Sequence, residues 1–154
     1  MRTEKVLWWL TMGCAALLMV APFTPRTTWL PTSRTGLSLI TEGVGWQAIA
    51  AIVGIAAAVA LVAGVSARRR STAVAGSALA MFGFIVIAVG MARHWIDLTN
   101  GVTSVNPGSS WEFHPAPFIP VLAGLAAVGA VCALTLTIRW LRPAATGADF
   151  AAGS

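Results

Sequence analysis

Ala67-Arg68-Arg69-Arg70-Ser71 sets three consecutive arginines between two long runs of apolar residues. The hinge is too short to be a domain, yet it holds three of the ten basic residues of the 154-residue chain. Lysine and arginine collect in short cytoplasmic loops of membrane proteins, so this stretch reads as the inner turn joining two transmembrane helices. The rest of the chain can be oriented from it.

The composition agrees with that reading. The chain is 57% hydrophobic and only 10% charged, with a mean hydropathy of +0.80. A soluble domain of this size could not hide that much apolar surface from water. The net charge of +5 and the pI near 11.1 do not indicate nucleic-acid binding, because the basic residues stand at the ends of apolar runs and form no polar stripe. Cys14 and Cys132 both fall inside apolar runs, where a free cysteine behaves as a small hydrophobe.

Outward from the arginines, four charge-free segments are expected to span: residues 6–23, 47–67, 71–92 and 117–138. At 1.5 Å per residue even the shortest covers about 27 Å, enough for the hydrocarbon core. The first could be mistaken for a secretory signal, but Met19 would occupy the −3 position before Ala21, where a small residue is needed, and Pro22 and Pro25 follow at once. Residues 1–142 are expected to form one four-helix transmembrane domain, and residues 143–154, small and polar, a disordered cytoplasmic tail.

Counting basic residues sets the orientation. Arg2, Lys5, Arg68, Arg69, Arg70, Arg139 and Arg142 fall on one side, and Arg26, Arg34 and Arg93 on the other. The first group should be cytoplasmic, with both termini, in a bacterial inner membrane. Trp8, Trp9, Trp46, Trp95 and Trp140 fall near span ends, where amphipathic rings settle at headgroup level.

Two outer loops of about 23 residues would then face the outside. Asn100-Gly101 suits a two-residue hairpin turn, since both residues tolerate positive φ. It predicts a strand pair of Trp95–Thr99 with Val102–Val105, with Leu37–Thr41 alongside as a small β cap. The expected fold is therefore an all-α membrane bundle of four helices, with two extracytoplasmic loops and this cap. Small residues at four-residue spacing, Ala50, Gly54 and Ala58 among them, predict close packing between the helices.

Chemistry is sparse. No Asp, Glu, Lys, Arg or His lies inside any expected span, which argues against an ion-coupled transporter or proton relay. No nucleophile elbow is present, and nothing in the sequence calls for an enzyme or a cofactor. His94 and Asp97 at i,i+3 spacing, with Glu112 and His114, have the number and type of zinc ligands if a hairpin gathers them. Trp29, Trp95, Trp111 and Phe113 in the outer loops offer an aromatic surface for a partner subunit. Arg68, Arg69 and Arg70 fall short of the four to eight basic residues of a lipid-binding cluster, and topology explains them.

Several local features carry a family resemblance. They are Pro25, Trp29 and Pro31 in the first outer loop; Leu37, Ser38, Gly43, Gly45 and Trp46 at the entry to the second span; the arginine-bearing inner turn; and the run Val131 to Ala133. In these the chain resembles the small four-helix actinobacterial proteins called tryptophan-associated transmembrane proteins. The resemblance implies location and architecture, and it carries over no functional residue. The sequence thus leads to a non-enzymatic accessory or assembly subunit of a cell-envelope or membrane complex, in contact with the lipid bilayer and with other subunits or copies of itself. The alternatives are an outer metal- or substrate-binding protein working through His94, Asp97, Glu112 and His114, and a small homo-oligomeric transporter or pore.

Overall fold

The computed structural model describes residues 2–28, 33–35, 45–99, 114–115 and 117–142. Four helices dominate it: α1 (Arg2–Met19), α2 (Trp46–Ser66), α3 (Arg70–Thr99) and α4 (Phe118–Leu141). All four are long and apolar enough to cross a membrane. In hydrocarbon every backbone N–H and C=O must find a partner within its own segment, and a continuous helix meets that demand.

Each helix packs against the next in sequence, and α4 closes the ring against α1. The inner turn makes α2 and α3 antiparallel. Trp8 of α1, Val65 of α2 and Trp140 of α4 line one cleft, so the start of α1 and the ends of α2 and α4 share one end of the bundle. Along the axis Leu18, Leu61, Phe84, Ile87, Met91, Ile119 and Leu136 are fully buried. Close approach around them depends on missing side chains. A Cβ on Gly54 would lie 2.6 Å from the Ala15 carbonyl oxygen, and one on Gly76 would lie 2.4 Å from that of Ala60. The small-residue spacing is therefore used within one chain, seating α2 on α1 and α3 on α2.

The buried polar groups are mostly satisfied locally. Thr11 is buried and donates to the Leu7 carbonyl at 2.7 Å. Ser77 of α3 and Thr137 of α4 share a hydrogen bond of 2.8 Å across the interface, and Thr137 also reaches the Ala133 carbonyl at 2.8 Å.

Helix boundaries depart from the expected spans in an instructive way. α3 does not stop at Ala92 but runs to Thr99, so Trp95–Thr99 is helical and is not a hairpin strand. The apolar spacing Phe84, Ile87, Met91, Trp95 continues the buried face without a break, and the first turn-forming pair is Asn100-Gly101. At 30 residues α3 is about 45 Å long, longer than the ~30 Å hydrocarbon core of a typical bilayer. α1 begins earlier than expected, at Arg2, and ends at Met19, after which Ala21–Phe23 form a single 3-10 turn around Pro22. α4 starts after Pro117, with Pro120 in its first turn where a missing N–H costs nothing, and continues to Leu141.

Three short strands complete the described chain: β1 (Pro25–Thr28), β2 (Ser33–Thr35) and β3 (His114–Pro115), in the order β2-β1-β3 with both pairings antiparallel. The strand pairing thus falls elsewhere than the Asn-Gly hairpin. The expected strands Leu37–Thr41 and Val102–Val105 lie outside the described residues, as does the tail 143–154.

Candidate functional surfaces at the ends of the bundle

Among the described residues Asp, Glu, Lys, Arg and His occur only toward the helix ends, in the arginine turn and in the short strands. At the end opposite the arginine turn α2 is tied to the end of α1 by a buried amide. Gln47 is 3% exposed, and its Nε2 donates to the Thr24 carbonyl at 3.2 Å and to Thr24 Oγ1 at 3.0 Å. Thr24 Oγ1 passes its own proton to the Ala21 carbonyl at 2.7 Å. Gln47 Oε1 is buried without a hydrogen-bond partner. Beside it the Trp46 ring lies on α3, where a Cβ on Gly90 would come within 2.3 Å of the indole. The signal for Gln47 was present in the sequence, as the one strongly polar side chain at the head of a charge-free run.

The expected metal ligands are distributed as follows. His94 is half-buried on α3 and engaged in an interaction there. Asp97 lies one turn further along the same helix, and His114 belongs to β3, which packs beside α3. Glu112 lies outside the described residues. Among the described residues no group of three or more His, Cys, Asp or Glu could hold a metal ion. Of the aromatic residues, Trp95 is half-buried and packs against the core, so one face of its ring belongs to the fold. Trp29, Trp111 and Phe113 lie outside the described residues.

The end that carries the arginine turn is more fully built. α2 stops at Ser66 and the chain reverses through Arg68, whose φ of 50° is a left-handed conformation that suits glycine. Arg68 and Arg69 are exposed in the turn. Arg70 reaches across to α4, where its Nε donates to the Trp140 carbonyl and its Nη2 to the Arg142 carbonyl. A cation on the last carbonyls of a helix satisfies orphaned acceptors and complements the negative end of its dipole. Nothing in the sequence signals this cap, which joins residues 70 and 72 positions apart.

Two clefts flank Trp140. One, of about 390 Å³, is lined by Glu4, Lys5, Trp8, Trp9, Val65 and Trp140. Trp8 and Trp9 meet there edge to face, with centroids 4.9 Å apart, and Trp8 Nε1 is buried without a partner. The other, of about 440 Å³, is lined by Arg70, Ser71, Val74, Ala75, Trp140 and Leu141.

Compared with protein-family models, curated proteins and solved structures, the chain matches none. Function has to be argued from the geometry of these two ends and of the bundle between them.

Proposed function

We propose that the chain is a multi-pass protein of the bacterial plasma membrane with both termini cytoplasmic, acting as a non-enzymatic accessory or assembly subunit of a larger cell-envelope or membrane complex. The observation that carries this reading is the bundle interior. Its centre is filled by Leu18, Leu61, Phe84, Ile87, Met91, Ile119 and Leu136, and no Asp, Glu, Lys, Arg or His lies within the apolar runs 6–23, 47–67, 71–92 and 117–138. A single copy packed in this way has neither a polar path for a solute nor a charge to drive coupled transport. What remains is contact. Large apolar side chains such as Ile52, Val59, Phe82 and Val89 are exposed on the outside of the helices, and Trp29, Trp111 and Phe113 fall in the expected outer loops. The basic residues at the inner end support the orientation.

Purification of the tagged full chain in mild detergent, with mass spectrometry of what co-migrates and a metal assay on the same peak, tests the proposal. A stoichiometric partner is expected, lost in Trp29→Ala, Trp111→Ala or Phe113→Ala and kept in His94→Ala and His114→Ala. A chain that runs alone with equimolar zinc, released by the two histidine substitutions, would replace the accessory role with a metal site. Channel activity of the pure protein in liposomes would replace it with a pore.

A further inference from the structure

We infer that the cleft between the first turn of α3 and the last turn of α4 is a binding site for one anionic glycerophospholipid of the adjacent leaflet. The inference is independent of any partner protein.

The cleft is graded in the same sense as such a lipid. Arg70 and Ser71 line it at the start of α3, and Val74 and Ala75 line it one turn further toward the middle of the bundle. Trp140 and Leu141 wall the opposite side. Its volume of about 440 Å³ falls within the range of small-molecule sites, enough for a headgroup and the first part of an acyl chain. An indole at headgroup level is at home in this setting.

The charge is both concentrated and fixed in position. Arg70 is exposed, and its two bonds to the α4 carbonyls hold the guanidinium at the cleft while leaving further N–H donors for an anion. Arg68 and Arg69 are exposed one and two residues away, and Arg139 and Arg142 are exposed on the end of α4. In the sequence the three turn arginines fall short of a polybasic lipid site. Folding brings two more from α4 to the same end, which reaches the usual four to eight. Among the described residues no acid lines this cleft, whereas Glu4 lines the one on the other side of Trp140, where it would oppose a phosphate.

Native mass spectrometry of the full chain in detergent, titrated in parallel with phosphatidylglycerol and phosphatidylcholine, tests the site. One phosphatidylglycerol adduct is expected to form at concentrations about fivefold below those needed for phosphatidylcholine, the ratio set by a single surface charge contact. Arg70→Gln should abolish the preference. Because that change also uncaps α4, Ala75→Phe serves as the second variant. Ala75 is exposed, so the ring fills the cleft without entering the core, and the preference should again be lost with every arginine in place. Equal binding of the two lipids would overturn the inference. So would a phosphatidylglycerol preference that survives Ala75→Phe, since the basic end would then act as a diffuse charge.

Discussion

Gly76→Ala adds one methyl group at the tightest glycine-to-backbone contact in the bundle. An ideal Cβ there would lie 2.4 Å from the Ala60 carbonyl oxygen and 3.2 Å from its carbon. Carbon and oxygen rest at about 3.3–3.6 Å, so α2 and α3 must part locally by ~1 Å. A gap of that size forfeits a quarter to a half of each dispersion contact along the seam, and overpacking of this kind costs about 1–3 kcal/mol. Against this stands the gain of alanine over glycine in a helix, ~1 kcal/mol at most. The net expectation is a loss of up to about 2 kcal/mol against wild type, and of about 1–3 kcal/mol against a control that keeps only the helical gain. Gly124→Ala is the matched control, because nothing lies within 4 Å of the added methyl group and only the helical gain remains. Unfolding of both variants in mixed micelles of rising dodecyl sulfate content, followed by circular dichroism, should place Gly76→Ala below wild type and Gly124→Ala at or above it. A Gly76→Ala protein as stable as Gly124→Ala would refute the α2–α3 packing described here.

The same unfolding assay checks four further expectations. Gln47→Leu should fall within about 1 kcal/mol of wild type, because the lost bonds to Thr24 are offset by removal of a buried acceptor that has no partner. Gln47→Glu should cost on the order of 3 kcal/mol, because it buries a charge against the Thr24 carbonyl. Ser77→Ala breaks the interhelical bond to Thr137 but leaves the Thr137 bond to Ala133, so about 0.6 kcal/mol should be lost, the average for such bonds in membranes. Arg68→Gly should stabilise by roughly 1 kcal/mol, since glycine adopts the left-handed turn without a Cβ clash.

The four helices and the inner turn are legible in the sequence because their cause is local: charge-free runs of bilayer length and a cluster of arginines. The end of α3 shows where that logic stops. Bilayer thickness limits an apolar run but not a helix, and the spacing Phe84, Ile87, Met91, Trp95 carries the helix past Arg93 and His94 as far as Thr99. The Asn100-Gly101 signal drew Trp95–Thr99 toward a strand, although the buried face of the helix already claimed Trp95. Strands of two to four residues, two of them containing a proline, offer no alternation to read. The candidate site shows the same divide. The turn arginines are visible as topology signals, but the cap that Arg70 places on α4, and the cleft it leaves beside Trp140, arise only when residues about 70 positions apart meet.

Orientation across the membrane underlies the accessory role and decides which leaflet the lipid cleft meets, and cysteine accessibility measures it most directly. Cys14 and Cys132 are buried and can be replaced by alanine to give a background without thiols. Single cysteines are then introduced as Ala67→Cys in the exposed arginine turn and Ser104→Cys in the second long loop. Intact cells are treated with a membrane-impermeant maleimide. Labelling of the Ser104→Cys protein alone, with the Ala67→Cys protein reacting only after the membrane is opened, is the expected result. Labelling of the Ala67→Cys protein from outside would invert the bundle, and labelling of both from outside would remove the membrane crossing between them.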